Sequence, residues 1–186
     1  MLTENTKIEW TDATWNPITG LKHHPSRVGL TKRNADGVSK FTGEVRFNER
    51  WLTQPLKWRK PRMIFVCAHG DLFHENVPDE WIDRVFAVMV LCPQHTFQVL
   101  TKRPERARAY LEDLRHELSL LRDSADDIAP GLWESADKTD WVYNCDCYEP
   151  KFPFKNIWLG TSVSDQDSAN KRIGPLMEAP AIIRPL

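Results

Sequence analysis

The sequence predicts an α/β fold with about five mostly parallel strands and flanking helices. Short apolar runs without alternation recur along the chain, as expected of strands that are buried on both faces of a parallel sheet. Each run is followed by turn residues and then by a helical pattern. Strands that alternate with helices are joined by right-handed crossovers, so the predicted sheet is parallel.

The predicted strands follow from these apolar runs. The run RMIFVCA at 62–68 is short, rich in branched residues and uninterrupted after its first residue. Similar runs lie at 96–100, 156–160 and 181–184. An earlier strand is expected at 7–10, KIEW, which gives an order close to βαβαβαβ.

Two helices are expected between the central strands. The first follows Pro78 and Asp79, which supply a start signal. Its apolar stripe has helical spacing and consists of Trp81, Ile82, Val85, Phe86 and Met89. The second helix begins at Pro104, and its stripe consists of Ala107, Leu111, Leu114, Leu118 and Leu121.

A third helix is expected after the strand at 156–160. Ser164 or Asp165 is placed to cap its N-terminus, since both residue types accept hydrogen bonds from the first turn. Gly174 and Pro175 predict a break near its end.

Length and composition limit the class of protein. The 186 residues suit one domain, with a divergent loop at 21–33 and a surface excursion at 123–155. The net charge is -1, so nucleic-acid binding would have to come from local basic patches. No signal segment and no run of the about 18 apolar residues needed for a membrane span is present. Four cysteines without a disulfide pattern complete the prediction of a cytoplasmic protein with reduced thiols.

Polar side chains gather where the predicted strands end. Ligands of parallel α/β proteins bind at the carboxyl ends of the strands, where loops and helix N-termini converge. The candidate ligand-binding residues at this edge are His69, Asp71, His74, Glu75, Thr101, Lys102, Arg103, Thr161, Ser162, Asp165 and Arg184. Carboxylates and histidines that face a Lys-Arg pair suit an anionic or nucleotide-like ligand, and we expect Lys102→Ala and Arg103→Ala to weaken its binding without affecting folding.

Several of these residues have an ordinary structural alternative. His69 and His74 are candidate metal ligands, but their spacing matches no H-E-x-x-H pattern. Asp71 can cap a turn, and Glu75 can belong to a solvated loop. The basic runs at 58–62 and 101–108 can contact phosphates or, for the second run, start a solvated helix. The pair formed by Cys145 and Cys147 lacks the second half of a metal motif.

Longer motifs carry a family resemblance. KIEWTDATWNPITG, LTQPLKWRKPRMIFV, GDLFHENVPDEWIDRVFAVM, PQHTFQVLTKRPERARAYL and NIWLGTSVSDQ together resemble the phage gene-product thirty-seven/sixty-eight family of phages and prophages. That family is distantly similar to radical SAM enzymes. The resemblance implies a partial (β/α) barrel, truncated at the C-terminal strand, together with a [4Fe–4S] cluster and S-adenosylmethionine as cofactors.

This chain departs from the family pattern at the cluster. Members carry three cysteines after their WNP-x-TG motif, whereas here Leu21 stands at the first position and the segment with the others is missing. His23 and His24 do not replace three thiolates, so neither cofactor is expected. An atypical cluster completed by Cys67 and the C-x-C pair is the alternative.

These observations predict a non-catalytic phage or prophage protein. It would be a decayed or repurposed binding protein that acts on a host factor such as a defence system. The alternative is an enzyme that uses S-adenosylmethionine or a nucleotide and acts on nucleic acid or another anionic substrate. Expected partners are a host or phage protein, nucleic acid through local basic patches, or a second copy through the C-terminal strand edge; no membrane partner is expected.

Three expectations concern the chain ends. Trp10 and Trp15 are predicted to pack inward, and residues 21–33 to be mobile, because their polar side chains offer little burial to offset ordering. The alternative for His23 and His24 is a metal site shared with His69 or His74. The C-terminal strand is predicted to leave a sheet edge that is covered by the 123–155 excursion, a second copy or a partner.

Overall fold

The computed structural model describes residues 9–20, 31–33, 39–41, 44–134, 136, 141–144 and 147–183. The strands in chain order are β1 (Ala13–Trp15), β2 (Ile18–Thr19), β3 (Thr31–Arg33), β4 (Ser39–Phe41), β5 (Arg46–Phe47), β6 (Met63–Val66), β7 (Thr96–Thr101), β8 (Trp141–Asn144), β9 (Cys147–Pro150), β10 (Ile157–Thr161) and β11 (Ile182–Ile183). The helices are α1 (Glu49–Leu52), α2 (Asp79–Val90), α3 (Pro104–His116), α4 (Ser119–Ile128) and α5 (Gln166–Glu178), with a 3₁₀ turn at Pro55–Lys57.

The main sheet has the strand order β1-β6-β7-β10-β11, and every neighbouring pair is parallel. The prediction of a parallel α/β fold is therefore confirmed. Each new strand is added to the same edge of the sheet. Right-handed crossovers between strands added in this order place the connecting helices α2, α3 and α5 on one face.

The helix-covered face of the sheet forms the core. Trp15 and Phe97 are fully buried there, with ring centroids 5.7 Å apart. The indole N–H of Trp15 donates to the carbonyl of Trp51 at 2.8 Å, so the largest core side chain has no unpaired polar atom. Phe86 of α2 and Leu111 of α3 line one small apolar cavity together with residues of β7 and β10. Burial on this face holds the helices against the sheet.

The second face of the sheet, which we call the open face, is only partly covered. The strand register aligns one residue from each strand in a row across the sheet: Thr14, Phe65, Gln98, Trp158 and Ile182. Four of these side chains are partly exposed, whereas Gln98 is buried. Trp10 lies over part of this face, with its ring centroid 5.1 Å from that of Phe65.

The first strand differs from its prediction. Of the strand predicted at 7–10, Lys7 and Ile8 lie outside the described residues, and Glu9 and Trp10 lie in a turn. The strand β1 begins at Ala13. Ala13 and Trp15 are two residues apart in the strand, so both side chains point into the core. The Trp10 side chain is 39% exposed and lies outside the core. The inward packing of Trp15 is confirmed, and that of Trp10 is wrong.

The structure divides the predicted second helix into two helices. α3 ends at His116, and α4 starts at Ser119. The chain changes direction because α3 packs against α5 whereas α4 packs against α2. Leu121 still becomes fully buried, so the apolar spacing identified core residues but not the break between them.

The 123–155 excursion is also partly wrong as a surface prediction. Its first residues complete α4, and Trp133 and Phe154 are buried. Strands β8 and β9 pair with each other as an antiparallel hairpin. Phe152 and Phe154 line an apolar cavity beside Ile182, so the end of the excursion packs next to the last strand.

The third helix begins as predicted but does not break. The Asp165 side chain accepts a hydrogen bond from the N–H of Ser168 at 2.7 Å, and Ser168 completes a capping box. α5 then continues through Pro175 to Glu178. The hydrogen bond lost at Pro175 is the one to the carbonyl of Lys171, an exposed residue whose turn water can solvate.

Other sequence predictions concern the ends of the chain. Thr31–Arg33, part of the loop predicted to be mobile, pairs with Ser39–Phe41 as a hairpin. The rest of that loop lies outside the described residues. In the part of the chain that the structure describes, no helix has both the length and the apolar character needed to cross a membrane.

Candidate functional site

Asp71 is the centre of the carboxyl edge of the sheet. It follows β6 and is 6% exposed. One carboxylate oxygen accepts hydrogen bonds from the hydroxyl of Thr101 at 2.7 Å and the N–H of Phe73 at 3.1 Å. The other accepts from the N–H of Lys102 and the guanidinium of Arg103, both at 3.0 Å. A carboxylate has about four acceptor positions, so those of Asp71 are filled by the protein itself.

Threonines extend this network across the sheet. The Thr161 hydroxyl donates to the carbonyl of Thr101 at 2.7 Å, which links the ends of β10 and β7. The Thr101 hydroxyl accepts from the N–H of Arg103 at 3.0 Å while it donates to Asp71. The strand ends and the loop after β6 are therefore joined by side-chain hydrogen bonds.

Arg103 connects two carboxylates at this edge. Its guanidinium contacts Asp71 and also pairs with Glu75 through Nε. The hydrogen bond from Arg103 lowers the pKa of Glu75 to about 2, so the carboxylate is charged at neutral pH. The contact gives a physical reason to expect that Arg103→Ala destabilises the fold as well as weakening anion binding, since that change leaves buried Asp71 without its cation. Lys102 is exposed, and its side chain remains a candidate for contact with an anion.

His74 is held in one tautomer next to this network. Its Nδ1 accepts a hydrogen bond from the N–H of Asn76 at 3.1 Å, so the ring proton lies on Nε2. Nε2 is 3.8 Å from a carboxylate oxygen of Glu75. Burial, with a further contribution from the charge of Arg103, lowers the pKa of His74. Arg106 donates to the carbonyls of His74 and Val77, which fixes this loop to α3.

The remaining predicted residues have other positions. His69 is partly buried, and its N–H donates to the Asn16 side chain at 3.0 Å. The carbonyl of Ser162 accepts from Arg172 at 2.6 Å, and Asp165 caps α5, so both belong to the start of that helix. His23, His24 and Arg184 lie outside the described residues.

Cys67 is a buried thiol at the end of β6. Burial raises its pKa to about 12, so the group is neutral rather than a thiolate. Its backbone has φ 53°, in the left-handed region, where β6 turns into its loop. Cys145 and the side chain of Cys147 are outside the described part of the chain, in which no group of three or more histidine, cysteine and acidic side chains is placed to hold a metal ion.

The NPITG motif forms the wall of the site. Asn48 donates to the carbonyls of Asn16 and Pro17 and to the hydroxyl of Thr19, which holds this turn in place. Gly70 passes close to the turn, and a Cβ atom there would lie 3.0 Å from the carbonyl oxygen of Ile18. A side chain at this position would push the loop that carries Asp71 away from β2.

Comparison with family models finds a match over residues 5–186, which is nearly the whole chain. The chain belongs to the DUF5131 family. The description of that family is a protein of unknown function. Comparisons of the DUF5131 chain with curated proteins and with solved structures find no match.

The open face adds features that the sequence prediction missed in this DUF5131 chain. Gln98 is 1% exposed, and its amide nitrogen donates to the carbonyl of Trp10 at 3.2 Å. Its amide oxygen has no hydrogen-bond partner among the described residues. Leu100 continues the partly exposed apolar surface one step closer to the carboxyl edge. The sequence signal that could have identified Gln98 was its position as the single amide within the apolar run TFQVL.

Proposed function

We propose that this DUF5131 chain is a non-catalytic binding protein, encoded by a phage or prophage and built on a radical-SAM-like partial (β/α) barrel. Its target would be a host protein such as a component of a defence system. The observation that carries the proposal is that the charged groups of the carboxyl edge are already paired: Asp71 and Glu75 both bind Arg103. The phage origin rests on the resemblance of the quoted sequence motifs.

The strand order supports the partial barrel. In a (β/α) barrel, consecutive strands are added in one direction and the helices form an outer layer. The order β1-β6-β7-β10-β11 follows this rule. The open face then corresponds to the inside of such a barrel, and it is lined by Phe65, Leu100 and Trp158.

The charged residues of the carboxyl edge are poorly suited to acid-base catalysis. A general base must be within hydrogen-bond reach of its substrate and have a pKa near the working pH. Asp71 is buried with its acceptor positions occupied, and the pKa of Glu75 is about 2. Both carboxylates are held by Arg103, which fits a structural role in the loop.

The open face is better suited to binding a protein. Parallel sheets are normally covered on both faces, so partly exposed apolar residues on one face favour contact with another molecule. Phe65 and Trp158 provide aromatic surface on the two strands that flank Gln98 in the register row. Aromatic side chains of this kind contribute much of the binding energy of protein interfaces.

The first test concerns catalysis. After anaerobic reconstitution with iron and sulfide, we expect a colourless protein and no heat of binding when S-adenosylmethionine is titrated into it. Iron and acid-labile sulfide analysis and calorimetry provide the measurements. A brown protein with about four irons per chain would overturn the proposal and favour the enzyme alternative.

The second test concerns the binding face. Immobilised wild-type protein and Leu100→Lys are compared for capture of host proteins by quantitative mass spectrometry. We expect one host protein to be retained by the wild type and lost at least tenfold in the variant, because a charge is placed in the apolar contact. Met177→Lys is the matched control, since Met177 is an apolar residue, 65% exposed, on α5. Equal capture by wild type and Leu100→Lys, with both proteins folded, would exclude the open face.

A further inference from the structure

Basic side chains gather at the amino edge of the sheet, opposite the site described above. Four of them precede β6 in the sequence. Two more precede β10. We call this group the amino-edge basic surface; it consists of Lys57, Arg59, Lys60, Arg62, Lys151 and Lys155.

Two shallow clefts are lined by three of these cations, and Lys57, Arg59 and Lys60 precede Arg62 in the sequence. One, of about 220 Å³, is lined by Lys151, Lys155 and Thr96. The other, of about 250 Å³, is lined by Arg62 and also by Thr96. The shared residue Thr96 begins β7, and its N–H donates to the carbonyl of Arg62 at 2.9 Å. The cations on both sides of Thr96 therefore border one continuous surface.

The charges of this surface differ from those of the second basic run, at 101–108. Arg103, Arg106 and Arg108 of the second basic run pair with acidic side chains. Lys57, Arg59, Lys60 and Lys151 make none of the ion pairs found among the described residues, and all four are exposed. Asp12 is an acidic group at the second cleft, and its carboxylate already accepts from the N–H of Met63 at 2.7 Å. The surface is thus locally basic although the whole chain has a net charge of -1.

An aromatic side chain lies within the basic surface. The guanidinium of Arg62 stacks over the ring of Trp58 at 4.8 Å from its centroid. Gln94 donates to the carbonyl of Trp58 at 3.4 Å and also lines the second cleft. Surfaces that bind single-stranded nucleic acid combine a basic groove for the phosphates with aromatic and arginine planes for the bases.

We infer that the amino-edge basic surface binds the backbone of a single-stranded nucleic acid. Both clefts are smaller than the about 300 Å³ of pockets that enclose a small-molecule ligand, so a ligand is held along the row of charges instead of inside a cavity. A polymer with one negative charge per unit fits that arrangement. This inference concerns a different edge of the sheet and does not depend on the proposed function.

The test measures binding of a fluorescently labelled single strand by anisotropy over a range of salt concentrations. The strand is longer than the about 16 nucleotides that a single-strand-binding fold covers. If four to six phosphates are neutralised, the slope of log K against log salt is about -3 to -4. Arg59→Ala/Lys60→Ala/Lys151→Ala should weaken binding more than tenfold and make the slope shallower by about 2.

The control carries the same change in charge on the helices. Arg115→Ala/Arg122→Ala/Lys171→Ala removes three exposed cations from α3, α4 and α5 and should bind like the wild type. Circular dichroism and thermal unfolding check that both triple variants are folded. Equal weakening by both variants, or no weakening by the amino-edge variant, would overturn the inference. Tighter binding of the matching duplex, or equal competition by polyglutamate, would also overturn it.

Discussion

Asp71→Ala is expected to lower the free energy of unfolding by about 3–5 kcal/mol, because several hydrogen-bond donors lose their acceptor at a cost of about 1–3 kcal/mol for each one that is buried. For a chain of this size, that loss corresponds to a fall in Tm of about 6–20 °C. Removal of the carboxylate leaves the N–H groups of Phe73 and Lys102 and the Nη1 group of Arg103 without their acceptor, although Nε of Arg103 still pairs with Glu75. Urea and thermal unfolding followed by circular dichroism measure the effect.

Two further variants identify its cause. Asp71→Asn keeps the shape and one acceptor oxygen but turns an amide NH₂ toward the donors on Lys102 and Arg103, so we expect most of the loss to remain. Asp127→Ala is the matched control, because its carboxylate is 73% exposed and lies 3.6 Å from Arg84. An exposed pair of this kind contributes at most about 1 kcal/mol.

The result also separates a structural from a catalytic role. Catalytic carboxylates are often held at a cost to stability, so that their removal is neutral or stabilising. A value for Asp71→Ala within about 1 kcal/mol of the wild type would therefore contradict the role assigned to Asp71 and weaken the argument against catalysis.

The position of the site is predictable from the sequence, but the hydrogen bonds and ion pairs among its side chains are not. β6, β7 and β10 are mostly apolar runs, and parallel strands bring the residues after them to one edge. The convergence of Asp71, Thr101 and Arg103 follows from that rule. Whether a carboxylate faces solvent or its neighbours' N–H groups depends on loop geometry, which residue spacing does not reveal.

The errors in the fold prediction have a common physical cause. β1 is three residues long, and its place is set by Ala13 and Trp15 packing in the core, so local strand propensity was misleading at Glu9 and Trp10. Likewise, the break between α3 and α4 reflects the helices against which each packs. Tertiary contacts decided both cases.

Acid is expected to destabilise the protein between pH 7 and pH 5 because of two buried histidines. His95 is 1% exposed, and its Nε2 lies 3.2 Å from the carbonyl of Pro55, so the proton is on Nε2 and Nδ1 has no partner among the described residues. Burial lowers the pKa of His95, with a smaller contribution from the charge of Arg62. Burial and the charge of Arg103 likewise lower the pKa of His74.

The sign follows from the protons bound in each state. Both histidines have a lower pKa folded than the 6.5 of the unfolded chain, so below pH 6.5 the unfolded chain binds more protons. Stability is complete above that pH and falls as the pH decreases toward the folded pKa values. The slope is at most about 1.4 kcal/mol per pH unit for each histidine.

Two variants test this expectation. His95→Gln keeps an N–H for the Pro55 carbonyl, and His74→Asn keeps an acceptor for Asn76. Each should flatten the dependence of the free energy of unfolding on pH, measured by urea unfolding at successive pH values. His116→Gln replaces an exposed histidine and serves as the control. If the stability of the wild type stays constant from pH 7 to pH 5, the two buried rings are protonated without cost to the fold, and the prediction is wrong.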